Sequence, residues 1–173
     1  MKIAIVIAPT DFKDESLSKA ELLLDKKGIG YEIASTSKGV CKGYHGAEVK
    51  QNISAENFEP VDYDAIFIID GPGVDSNRLF ENRQLLDRIR YAHENKKPIV
   101  AIGNAIKVVA KANAVKDTKI ANVEDEEAKR LVGLYRGNIT EEPVEMHNGI
   151  LTVSDYSYID KAVDLLAEAL GVK

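Results

Sequence analysis

Unbroken apolar runs alternate with stretches of helical spacing along the chain. After Lys2, residues 3–8 are continuously apolar, the pattern of a strand covered on both faces. Asp64–Asp70 and Ile99–Gly103 read the same way, the latter after the start Lys96-Lys97-Pro98. Tyr31–Ser35 predicts another strand, Thr118–Ala121 a short one and Val49–Ile53 a short edge strand. Between these runs, apolar residues recur every three or four positions. Leu17, Ala20, Leu23 and Leu24 line a helix over Ser16–Lys27, which Gly28 and Gly30 stop. Leu85, Leu86, Ile89 and Ala92 line a helix over Glu81–Asn95. Further helices are expected from Asn104 to about Asn113, over Asn122–Gly133 and over Asp160–Leu170. Asn104 and Asn122 are the expected N-caps. Thr36–Gly46 reads as a loop or hairpin, Gly71-Pro72-Gly73 as a tight turn, and Val144–Val153 as a hairpin around Asn148-Gly149. Alternating strands and helices predict one doubly wound α/β domain over residues 1–173, with a mostly parallel sheet sandwiched by helices.

Ile99–Gly103 runs straight into the helix expected after it, which forces a sharp corner at Gly103. In α/β folds such corners lie at the carboxyl end of the sheet, where ligands gather. The elbow of hydrolases has this shape and carries a nucleophile at its tip. Gly103 carries none.

Charge and composition narrow the picture. The net charge is −5, with acids and bases interspersed, so no basic patch marks a nucleic-acid surface. No apolar run approaches the ~20 residues of a membrane span. The N-terminal run is short for a signal segment, lacks a cleavage pattern and reads better as a strand. A single cysteine, Cys41, excludes an internal disulfide framework. A cytoplasmic protein is expected. Pro9-Thr10-Asp11-Phe12 lacks the glycines and hydroxyls of a phosphate loop, so no cofactor is expected.

Several pieces together resemble one family: residues 1–8 with Phe12-Lys13-Asp14; Tyr31–Ser35; Gly43-Tyr44-His45-Gly46; Asp64-Ala65 with Gly71; Lys97-Pro98 with Ala101-Ile102; and the late Asn-Gly hairpin. In order and spacing they are similar to the PfpI-type intracellular proteases, a family that includes the parkinsonism-associated deglycase. The resemblance implies a flavodoxin-like fold related to class I glutamine amidotransferases, and dimers or larger rings. It also implies where catalysis would sit. The family's motif after Lys-Pro is Ala-Ile-Cys-His-Gly-Pro, and this chain has Ala101-Ile102-Gly103-Asn104-Ala105-Ile106. The cysteine position is therefore Gly103 and the histidine position Asn104. The family's glutamate position falls on Ser16, with Glu15 one residue away. Its Gly-Gly turn, which offers an N–H to an oxyanion, has Pro72 as its second member, and proline has no N–H.

The expectation is a member without the family's Cys-His-Glu set, acting as a binding or scaffold protein and forming a homo-oligomer. Gly71, Pro72, Gly103 and Asn104 are the candidate ligand-binding residues for a small molecule. Turn glycine, helix cap and turn former are the plainer roles of Gly103, Asn104 and Pro72, and Ser16 is read as a cap. Two alternatives stand. Cys41 and His45, with Glu15, could form a relocated hydrolase site, or the fold could bind a nucleotide as flavodoxins do. Asp11, Asp14 and Glu15, with Asp70 and Asp75, put carboxylates at one sheet edge, but solvated acids and caps are the expected outcome and no metal is expected. His93 and His147 are expected at the surface.

Overall fold

The computed structural model describes residues 1–172. In chain order its elements are β1 (Lys2–Val6), β2 (Thr10–Phe12), α1 (Asp14–Lys26), β3 (Gly30–Ser35), β4 (Val40–Gly43), β5 (Glu48–Lys50) and β6 (Ile53–Ser54). There follow β7 (Ala65–Ile68), α2 (Pro72–Ser76), α3 (Arg83–Glu94), β8 (Ile99–Ile102), α4 (Ile106–Lys111) and β9 (Lys119–Ile120). The chain ends with α5 (Glu126–Leu134), β10 (Asn138–Ile139), β11 (Val144–His147), β12 (Ile150–Val153) and α6 (Ile159–Ala169).

The central sheet runs β11-β12-β8-β7-β1-β3-β6. All its pairs are parallel except β11 with β12. Taking β1, β3, β7, β8 and β12 as first to fifth, the spatial order is 2-1-3-4-5, that of flavodoxin-like folds. The unbroken apolar strands follow from burial on both faces. Ile5 pairs with Phe67, Phe67 with Val100 and Val100 with Leu151, and this row faces α1 and α6 through Leu17, Leu24, Val163 and Leu166. The alternate residues Ala4, Ile66, Ile99 and Ile150 face Leu85 and Ile89 of α3, Val109 of α4 and Leu131 of α5. At about 25 cal/mol per Å² of apolar surface, these two layers carry the main stabilisation of the fold.

Local chemistry moves several boundaries. Gly103–Ala105 is a 3₁₀ turn and α4 starts only at Ile106, so Asn104 does not cap it. Asp125, not Asn122, opens α5 by accepting from Ala128 N at 2.9 Å. Gly71-Pro72-Gly73 is no free turn: Pro72 is the first residue of α2, where its missing N–H is harmless. Ser16 lies buried inside α1 rather than capping it, and the N-cap position is Lys13. The Gly-rich stretch 36–46 contains β4, parallel to β2 and antiparallel to β5. The expected Val49–Ile53 strand is divided between β5 and β6, in different sheets. The Asn148-Gly149 hairpin forms as expected, with φ of 53° and 78°, the two left-handed positions of a type I′ turn. No helix among the described residues is long and apolar enough to cross a membrane.

Candidate functional site at the elbow

β7 and β8 are adjacent and parallel, with Ile68 level with Ala101. The residues that follow them therefore meet at the carboxyl edge. Gly103 turns there with φ +52°, a left-handed conformation that disfavours a side chain. A β-carbon on Gly103 would stand 3.2 Å from Asp70 Oδ2. Asp70 is only 8% exposed, and its Oδ1 is buried with no hydrogen-bond partner. Burial pushes its carboxyl above the ordinary value. The Ser16 hydroxyl and the Lys13 ammonium pull the other way, and the charge of Asp155 adds to the rise. Ser16 Oγ, also buried, lies beside this carboxyl and has no other partner, so the two groups face one another at the edge of hydrogen-bonding range. The elbow thus lacks a thiol and a carboxyl at the expected positions but receives a carboxyl from a neighbouring strand. The sequence reading named Asp70 only among the edge acids. The available signal was its place as the first polar residue after an apolar run.

Asn104 has a different job from the one expected of it. Gly71 N donates to its Oδ1 at 3.1 Å, and its Nδ2 donates to Gly71 O at 2.8 Å. This pair of hydrogen bonds ties the elbow to the turn after β7. The Gly71 N–H is thereby engaged, and Pro72 has none to offer.

Gly103 and Asn104 line a cleft of about 420 Å³ with Val123, Pro143 and Tyr158. Every charged residue lining it is acidic: Glu124, Asp125, Glu141 and Asp155. Pro72 is not in this cleft. It borders a separate hollow of about 330 Å³ with Lys13, Glu15, Tyr44 and His45.

In that second hollow Asp14 accepts from the N–H groups of His45 at 2.8 Å and Ala47 at 2.9 Å. Burial acts to raise its carboxyl, but these backbone bonds hold it below the ordinary value. His45 Nδ1 pairs with Glu15. Asp14, Glu15 and His45 can bring one ligand atom each within 4.8 Å of the others. Cys41 lies apart from this group, buried in the core layer under α1. Burial raises its thiol, against a smaller pull from Ser35, so the reactive thiolate is disfavoured. Asp75 pairs with Lys107. Neither remaining histidine is fully at the surface: His147 is partly buried and its Nδ1 accepts from Lys119 N at 2.9 Å. His93 is partly buried too, and burial lowers its imidazole below the ordinary value.

The strand order and the elbow define a flavodoxin-like α/β protein with a cleft at its carboxyl edge. The model of the DJ-1/PfpI family matches residues 1–166, and the chain belongs to that family. It is 31% identical over 118 residues to an uncharacterised protein of Methanocaldococcus jannaschii, covering 68% of this chain and 57% of that protein's length. It is 28% identical over 119 residues to the deglycase PfpI of Pyrococcus furiosus, covering 69% of this chain and 70% of the relative. Among solved structures, a ThiJ/PfpI domain protein from Brachyspira murdochii superposes with a TM-score of 0.90 at 18% identity, covering 98% and 96% of the two chains. A DJ-1 superfamily protein from Agrobacterium tumefaciens gives 0.84 at 19% identity, covering 100% and 91%. At those identities the structural likeness concerns the fold.

Proposed function

We propose that this chain is a DJ-1/PfpI protein that binds a small molecule in the elbow cleft and does not attack it with a cysteine. The observation carrying this reading is Gly103. The apex of the bend offers only hydrogen, so no thiolate forms there. Two features support the reading. Asn104 engages the Gly71 N–H and Pro72 lacks one, and a single missing oxyanion donor is worth about 10²–10³ in rate. Ser16, buried in α1, supplies a hydroxyl where the family resemblance implies a carboxyl. The protein acts inside the cell as a homo-oligomer, in keeping with that resemblance.

Wild type and Cys41→Ala are to be assayed side by side on peptides and on methylglyoxal, the latter because one relative is named a deglycase. Both are expected to be inert. Turnover lost in Cys41→Ala would move the chemistry to a relocated thiol, and turnover kept in both would assign it to another group. Either result overturns the non-catalytic reading. A yellow purified protein would point to flavin instead. Light scattering that gives a monomer would remove the oligomer.

A further inference from the structure

Strand β9 lies beside β11 but, among the described residues, pairs only with β10. Its Thr118 and Ile120 carbonyls accept from Asn138 N and Thr140 N, so Lys119 and Ala121 point the other way, toward the β11–β12 hairpin. There their N–H groups end on side chains. Lys119 N donates to His147 Nδ1 at 2.9 Å, and Ala121 N to Thr152 Oγ at 2.8 Å. Asn148 Nδ2, at the hairpin tip, donates to Asp117 O at 3.3 Å and to Thr118 Oγ at 3.1 Å. The chain then runs straight into the wall of the elbow cleft, residues 122–125, with Asn122 N donating to Glu142 O at 2.8 Å. Side chains of the hairpin thus fasten the segment that carries this wall to the central sheet.

His147 is the one of these fasteners that can change charge, and histidine is the side chain that takes up a proton closest to neutral pH. To accept from Lys119 N, its Nδ1 must be bare and its Nε2 must carry the ring's proton. A second proton would occupy Nδ1 and set two N–H groups against each other. The charge so formed has no partner at hand, since His147 stands in no ion pair among the described residues. The charged residue on β9 is Lys119, itself a cation, with Lys116 and Asp117 in the turn before it. Glu145 shares the face of β11 that His147 occupies, and β12 brings no charged residue. Val144 and Met146 take the opposite face, toward α6, whose Asp160, Lys161, Asp164 and Glu168 therefore lie across the sheet from His147.

We infer that His147 is an acid-sensitive latch on the cleft wall: neutral, it holds Lys119 and the segment leading to Asn122; protonated, it lets go. A proton from solvent binds Nδ1, the bond from Lys119 N breaks, and the freed N–H turns to water, which the exposed position of Lys119 permits. Thr152, Asn148 and the Glu142 carbonyl keep their bonds, so the segment loosens without unfolding. The opposite side of the cleft, where Asn104 is tied to Gly71, holds no such group and stays in place. Mild acid therefore frees one wall of the cleft against a fixed one. The latch concerns how that wall is held, and it stands whether or not the cleft binds a small molecule.

Amide hydrogen exchange of the full chain, followed by NMR at pH 7 and pH 5 and corrected for the intrinsic rate, tests this. Wild type is expected to lose about tenfold in protection at Lys119 on going to pH 5. Asn122 should fall in step, while Ala128 inside α5 keeps its protection. His147→Asn sets an amide oxygen near the place of Nδ1 and takes up no proton in this range, so Lys119 should show no pH dependence in that variant. His147→Ala should show at pH 7 what wild type shows at pH 5. Should the alanine variant fail to fold by circular dichroism, wild type and His147→Asn still decide. Protection at Lys119 that stays constant in wild type would overturn the inference. So would an equal fall in His147→Asn, which would hand the effect to Asp117 or Glu145. A fall confined to Lys119, with Asn122 unmoved, would overturn the hold on the wall.

Discussion

Asn104 and Gly71 exchange two hydrogen bonds, one in each direction, at 3.1 and 2.8 Å. The pair joins the ends of two neighbouring strands and shapes the cleft's inner corner. Asn104→Ala leaves the buried Gly71 N–H without a partner and takes one of two donors from Gly71 O, which keeps the Val74 N–H. It should lower unfolding stability by about 1–3 kcal/mol, read from urea denaturation. Asn104→Asp keeps the acceptor for Gly71 N but turns a second acceptor toward Gly71 O. It should be no better than Asn104→Ala at neutral pH. A variant as stable as wild type would mean that this tie contributes nothing.

Restoring the family's nucleophile should not restore activity. In Gly103→Cys with Asn104→His, the new β-carbon lands 3.2 Å from Asp70 Oδ2 at a φ of +52°. The left-handed backbone alone costs about 1–2 kcal/mol for a non-glycine residue. The histidine removes the double tie to Gly71, while Pro72 and Ser16 stay unsuited to oxyanion and acid roles. Assays with methylglyoxal and peptides should match the background of wild type. Substantial turnover would show that Pro72 and Ser16 do not prevent catalysis at the elbow.

Asp70 sets a pH dependence of stability. Its carboxyl is raised in the folded state, chiefly by burial, above the 3.8 of an unburied aspartate. Below 3.8 the group is protonated in both states and exerts no penalty. As pH rises from there, the unfolded chain ionises first, so stability falls until pH passes the raised folded value. Asp70→Asn removes the ionisation. It should be more stable than wild type at neutral pH, with the gap closing toward acid. Thermal melts of both proteins across pH 3–8 read this directly. A gap that widens in acid would mean that the folded carboxyl is lowered rather than raised.

The layers of the fold were legible because burial on both faces writes itself as uninterrupted apolar strands, and one-sided helices as a stripe. Ile3–Ala8 and the Leu85–Ala92 stripe leave little choice. The corner at Gly103 was legible for the same reason. What failed was local polar chemistry. Asn104 and Asn122 both looked like caps, since asparagine suits that position. Asn104 instead found two backbone groups 33 residues away, and Asp125 captured the helix start from Asn122. No local pattern distinguishes these outcomes. The nearness of Asp70 to Gly103 depends on which strands are neighbours, which spacing along one chain does not encode. Cys41 and His45, four apart in sequence, point to different surroundings because β4 sends Cys41 into the core while His45 follows the strand into a turn.

Lys107 joins three elements from inside the protein, and its asymmetry can be measured. Its side chain is 1% exposed, and its ammonium meets Asp75 of α2, Asp125 at 3.2 Å and Glu127 of α5 at 3.8 Å. The three acids are between a quarter and a half exposed, so water can serve them when the lysine is gone. Lys107 has no such recourse when the acids go. Lys107→Met keeps the unbranched stem but not the ammonium and should change stability by about 1 kcal/mol or less, since replacing a buried charge by an apolar group is often neutral when its partners can turn to water. The triple variant Asp75→Asn, Asp125→Asn, Glu127→Gln keeps the cap on α5, because asparagine caps as well as aspartate. It strands the buried ammonium and should lose about 3–5 kcal/mol by urea denaturation. Adding Lys107→Met to the triple variant should then recover most of that loss. If the quadruple variant is no more stable than the triple, the buried charge is not what the acids are there to balance.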